Sequence, residues 1–144
     1  MVQRIINADG IILGRMGSLV AKMLLLGDNV IIINAEKAAI SGRNRFIINF
    51  YKKHSNIKTH TNPIKGPFFY RKPNLFVRRT IRGMLPWNYP RGRQAYKNLK
   101  VYIGIPKTLK IDESKIERFS EFSVDHLKGP YTEVSKLTQE LGWR

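Results

Sequence analysis

The sequence predicts an α/β fold whose strands run parallel between helices, and two observations carry that prediction. Val30-Ile31-Ile32-Ile33 is a continuous β-branched run with no polar alternation, which suits a strand covered on both faces. Residues 4–33 also read strand, helix, strand, the pattern of a βαβ unit. A third observation concerns function rather than fold. From Lys37 to Lys110 there is no Asp or Glu, and this zone holds eighteen of the twenty-six Lys and Arg residues. The flanks are close to neutral, so the middle of the chain supplies the net charge of +16. Solubility alone calls for a surface of mixed sign. A one-sign block over half the chain points to a polyanionic partner.

At 144 residues, the length is that of a single domain with a real core. Hydrophobic residues make up 42% and are spread from end to end, so the basic residues decorate a folded body. The expected division is a body over residues 1–106 with a basic RNA-facing insert, then an extension over 107–144 ending in a helix. The pI near 10.4 is a nucleic-acid-binding footprint. Cysteine is absent, which excludes disulfides, thiol catalysis and cysteine-ligated metal sites. The polar, charged start MVQRIINADG does not read as a signal peptide, and no apolar run approaches the ~20 residues of a membrane span. The expectation is a soluble intracellular protein.

Arg4 to Asn7 reads as the first strand, with Asp9-Gly10 as its turn. Over Gly14–Leu26, Met16, Leu19, Val20 and Met23 recur at helical spacing, while Arg15, Ser18 and Lys22 take the other face. Gly27 sits where a left-handed helix cap belongs. After the Val30 strand, a second helix is predicted from about Ser41–Asn44 to His54. Phe46, Ile47, Phe50 and Tyr51 form its expected buried stripe; Arg45, Asn49, Lys52 and Lys53 face outward. Residues 55–70 form a long excursion carrying Lys58, Lys65, Phe68, Phe69 and Tyr70. Loops of that length in compact domains are usually functional or disordered.

Pro73 opens the next helix, which ends at Gly83 with Leu75, Phe76 and Ile81 as its apolar side. Arg78, Arg79 and Arg82 are spaced to share one face. Without acidic partners they repel one another unless a polyanion lies against them. Their joint replacement by Ala is therefore expected to weaken RNA binding and leave thermal stability nearly unchanged. A short helix is predicted over Arg91–Leu99 and a strand over Val101–Ile103. Ser114-Lys115-Ile116-Glu117 matches a capping box, and Thr132 to Leu141 reads as a terminal helix capped by Gly142.

The basic block is the main candidate site. Arg43, Arg45, Lys52, Lys53, Lys65, Arg71, Lys72, Arg78, Arg79, Arg82, Arg91, Arg93, Lys97 and Lys100 are its expected RNA-binding residues. Lys and Arg neutralise phosphates and release counterions, and Arg adds a planar fork matched to phosphate oxygens. Phe68, Phe69, Tyr70, Trp87, Tyr89 and Tyr96 are candidates to stack on unpaired bases, although aromatics more often belong to the core. A weaker candidate is the glycine series Gly10, Gly14, Gly17 at the first strand–helix junction, with Glu36 about where a ribose-binding acid would sit. Its spacing is neither that of a dinucleotide fold nor of a P-loop, so tight packing is the better reading. Gly14-Arg15-Met16-Gly17 also spells the short GXXG of KH domains, in a different structural setting. His54, His60 and His126 lack metal-ligand spacing, and neither a nucleophile elbow nor a carboxylate pair is present in the acid-free centre. No enzyme, cofactor, metal or small-molecule substrate is expected.

Several motifs then fall into a familiar order. They are Ala8-Asp9-Gly10 through Leu13-Gly14-Arg15, Val30 through Asn34-Ala35-Glu36-Lys37, Ser41-Gly42 and Gly66-Pro67-Phe68. Arg82-Gly83-Met84-Leu85-Pro86, Arg91-Gly92-Arg93, Leu99-Lys100-Val101-Tyr102 and the final Leu141-Gly142-Trp143 follow. Together they resemble the universal large-subunit ribosomal protein thirteen family over roughly residues 8 to 106. Gly104-Ile105-Pro106 resembles its archaeal and eukaryotic branch. The resemblance implies a three-layer α/β/α domain with a central four-stranded parallel sheet, seated on large-subunit ribosomal RNA beside other large-subunit proteins in cytoplasmic ribosomes. It implies no catalytic role. Arg82, Arg91 and Arg93 carry over as RNA contacts, whereas Arg71, Lys72, Arg78 and Arg79 rest on charge alone. Trp87-Asn88-Tyr89-Pro90 departs from a more basic family pattern, and nothing carries over for residues 107–130.

Overall fold

A computed structural model describes residues 2–106 and 116–144. Four strands form a parallel sheet in the order β4-β2-β1-β5: β1 Gln3–Asn7, β2 Asn29–Ile33, β4 Leu99–Val101 and β5 Ile116–Glu117. Ile5 pairs with Ile31 and Ile6 with Ile32. Successive residues of a strand point to opposite faces. Ile6, Val30 and Ile32 accordingly enter one large core, while Ile5, Ile31 and Ile33 form a second buried cluster with Tyr102 and Ile116. The unbroken apolar run of β2 therefore has its predicted cause, burial on both faces.

Helix α1, Leu13–Leu26, buries Met16, Val20, Met23 and Leu24 against that larger core. It ends at Gly27, whose φ of 97° lets its N–H reach the Leu24 carbonyl while the Asp28 N–H reaches that of Met23. Helices α2 (Asn44–Ser55), α3 (Pro73–Met84), α4 (Pro90–Lys97) and α5 (Val134–Glu140) add Ile47, Phe76, Ala95 and Leu137 to the same core. Arg4 ties three segments together, its Nε 3.0 Å from Asp28 and its Nη1 3.2 Å from Glu117. The α/β class, the four-stranded parallel sheet and the C-terminal helix are as the sequence predicts.

Several local expectations are corrected. Phe46 and Phe50 do not face inward; they are 71% and 47% exposed, and α2 is held instead by Ile47, Ile48 and Tyr51. In α3 the buried set is Pro73, Phe76, Val77 and Ile81, with Leu75 only half-buried. The last strand of the body lies two residues earlier than predicted, because Leu99 and Val101 alternate into the core beside Val30 and Ile32. The terminal helix begins at Val134, since Tyr131–Glu133 pairs as β6, antiparallel to β3 (Ala39–Ser41). Ile116 and Glu117 are extended rather than helical because β1 offers them an open edge. The rest of that capping-box reading, at Ser114 and Lys115, lies outside the described residues, as do Lys107 and Lys110.

Candidate nucleic-acid interface

The basic side chains are carried by α2, α3 and α4, by the segments that lead into α2 and α3, and, for Lys100, by β4. Arg43, Arg45, Lys53, Lys65, Arg71, Lys72, Arg79, Arg91, Arg93, Lys97 and Lys100 are exposed; Lys52, Arg78 and Arg82 are half-buried. The helices divide the work by period. In α3, Phe76, Val77 and Ile81 turn inward and leave Arg79 to solvent. In α4, Gly92 and Ala95 pack while Arg91, Arg93 and Lys97 stay out. Gly92 is buried because the Pro86 carbonyl occupies the space a Cβ would need. Among the described residues, Lys52 is the one predicted site residue with a carboxylate within ion-pair distance, Glu140 at 2.6 Å. That hydrogen bond holds the Glu140 carboxyl below its ordinary range.

Two of the three α3 arginines have a second environment that their spacing did not reveal. The Arg78 guanidinium lies over the Tyr96 ring, 4.7 Å from its centroid, and that of Arg82 over Trp87 at 3.8 Å. The two rings meet edge to face at 5.3 Å. Arg93 Nε adds a 3.1 Å hydrogen bond to the Trp87 carbonyl, and an Arg91 Nη reaches the Leu25 carbonyl at 3.3 Å. Ring faces carry negative potential, so guanidinium groups resting on them are held apart without any acid. Burial pushes the Tyr96 phenol up, and Arg78 and Arg82 oppose that shift. Trp87 and Tyr96 are thus covered on their arginine sides.

Phe68, Phe69, Tyr70 and Tyr89 are exposed. The first three of these gather with Phe50 and His54 around a cavity of about 280 Å³, floored by Tyr51, Phe76 and Leu141. Phe50 was missed as a candidate because helical spacing assigned it to the core. The usable signal was the acid-free, aromatic run Phe68-Phe69-Tyr70 that the excursion returns alongside it.

The glycine series at the first strand–helix junction does not form a phosphate cradle. Backbone N–H groups of Gly10, Ile11 and Ile12 already donate to the carbonyls of Lys37, Ala8 and Phe122. Glu36 accepts the Gly104 N–H at 3.0 Å, so it serves the turn rather than a ribose. Gly17 lets α1 approach Met84 and Ile81 of α3, while Gly14 has open space where a Cβ would point. The tight packing is between helices, at Gly17.

A family model described as ribosomal protein L13 matches residues 2–108. The chain is 45% identical to the large ribosomal subunit protein uL13 of Saccharolobus solfataricus, over 96% of this chain and 92% of that protein. Its counterpart from Methanocaldococcus jannaschii is 40% identical, with 96% of both chains covered. That from Sulfolobus acidocaldarius is 44% identical, over 96% and 92%. The resemblance carried by the RGMLP and RGR motifs thus extends over nearly the whole length, and the chain belongs to the ribosomal protein L13 family.

Proposed function

We propose that this protein is a structural constituent of the large ribosomal subunit that binds and stabilises large-subunit ribosomal RNA by neutralising its phosphates. The observation that carries this reading is the set of exposed Lys and Arg side chains on α2, α3, α4 and the excursion, in a stretch of sequence without a single acid. The α/β body acts as the rigid carrier, fixing where each cation meets the backbone of the RNA. The described residues from 2 to 106 and the C-terminal segment work as one unit, because α5 packs into the same core as α1 and α3. Neighbouring large-subunit proteins complete the environment, and the protein acts in cytoplasmic ribosomes to support subunit assembly and translation. No membrane, cofactor or small-molecule substrate enters this role, and none of the proposed site residues is assigned chemistry beyond binding.

Sedimentation tests the reading. Tagged protein expressed in cells should travel with large subunits through a sucrose gradient, and a variant with Arg79, Arg91, Arg93 and Lys97 all changed to Ala should shift towards the top. A wild-type protein that sediments away from large subunits contradicts it.

A further inference from the structure

We infer that the cavity between α2 and the 67–70 segment is a receptor for one unstacked base of an RNA strand. The inference rests on the RNA-binding reading above and adds a specific occupant to it.

The geometry starts from helix α2. Phe50 is 47% exposed, and its ring lies 4.2 Å from the His54 ring, centroid to centroid. Tyr51, one residue on, turns inward and meets Phe76 edge to face at 5.2 Å, which makes a rigid floor. The excursion then returns Phe68, Phe69 and Tyr70 along the same cavity; Phe68 is 69% exposed. A folded chain does not normally leave so many large rings adjoining one another in water unless something covers them.

Charge chooses the occupant. Arg79 lines the cavity, and Lys53 and Arg71 are exposed next to the lining residues His54 and Tyr70 in the chain. Among the described residues, no carboxylate lines the cavity. An apolar protein side chain would need the rings and gain nothing from the cations. A nucleotide uses both, because a base has a π-face for stacking and its phosphate carries the charge that Arg79 complements. At about 280 Å³ the cavity lies at the small end of ligand sites, suited to a single base. His54 adds an edge contact. Its Nδ1 is 2.8 Å from the Phe50 carbonyl and must carry the proton to bond there, which leaves Nε2 of the neutral ring as an acceptor. A base amino group is the matching donor.

Binding of in-vitro-transcribed large-subunit ribosomal RNA to the full-length protein tests the inference. The variants are Phe50→Ala, Phe50→Leu, Phe68→Ala with Phe69→Ala, and Phe46→Ala, a ring on the same helix that does not line the cavity. Folding of each is verified by its thermal transition. The expected result is a loss of about ten-fold or more in affinity for the cavity variants, with the salt dependence unchanged and Phe46→Ala near wild type. Phe50→Leu should fall almost as far as Phe50→Ala, since leucine keeps apolar bulk but has no stacking face. Wild-type affinity in all cavity variants, with salt-dependent binding intact, overturns the base receptor and leaves the RNA-binding role standing. Full retention by Phe50→Leu alone overturns it in favour of an apolar side chain as occupant. Absence of salt-dependent binding in the wild type overturns both readings.

Discussion

The guanidinium of Arg82 rests 3.8 Å from the centre of the Trp87 ring, on a helix whose neighbouring charges are all positive. The sequence gives these arginines only each other and an external polyanion. The rings of Trp87 and Tyr96 change that balance, since each offers an attraction that persists without RNA. Arg82→Ala is therefore expected to lower stability by about 0.5–1 kcal/mol, the range of partly exposed cation–π contacts. This revises the expectation that replacing Arg78, Arg79 and Arg82 leaves stability nearly unchanged. Arg79 alone, exposed and off the rings, keeps that expectation. Denaturant midpoints of the single variants check the difference.

Gly92 and Gly83 offer a contrast between two glycines of the family motifs. A Cβ at Gly92 would overlap the Pro86 carbonyl, backbone that cannot move aside cheaply. Gly92→Ala is expected to cost on the order of 1–3 kcal/mol, as overpacking does, and to displace Arg91 and Arg93 together. Nothing lies near a Cβ at Gly83, which is exposed on α3. Gly83→Ala should stabilise the isolated protein by about 0.5–1 kcal/mol through helix propensity. Thermal unfolding of both variants reads out the opposite signs.

The Lys52–Glu140 pair ties α2 to α5 and carries a pH dependence. Its hydrogen bond lowers the Glu140 pKa in the folded state. A carboxyl depressed on folding contributes stability at neutral pH, and that contribution fades as the pH falls through the depressed value. The effect should be small and weakened by salt, because both side chains are nearly half exposed to solvent. Lys52→Met should bring the Glu140 titration back up to the ordinary glutamate range, as followed by NMR of the side-chain carboxyl. An unchanged titration would mean that the pair does not persist in solution.

Much of the body was legible in local pattern. The β2 run, the α1 period and the Gly27 cap each state their environment within a few residues, and the RGMLP and RGR motifs lead to the family. What stayed hidden depends on partners distant in sequence. Strand β3 exists because Tyr131–Glu133 pairs with it, and Ile116-Glu117 is extended because β1 has a free edge. Phe46 and Phe50 fit a helical stripe as well as any core residues do, but periodicity cannot say whether anything covers that stripe. The basic face was legible as charge, whereas the rings beneath Arg78 and Arg82 come from a different helix and turn.

In the proposed function the exposed cations bind RNA through its phosphates, and the salt dependence of that binding reads out this contact. Log affinity of the protein for folded large-subunit ribosomal RNA, plotted against log salt concentration, should fall steeply, with a slope corresponding to several neutralised phosphates. Removing one exposed cation, as in Arg93→Ala or Lys97→Ala, should reduce that slope by about 1. A slope near zero, unchanged by these substitutions, would rule out phosphate neutralisation as the basis of binding.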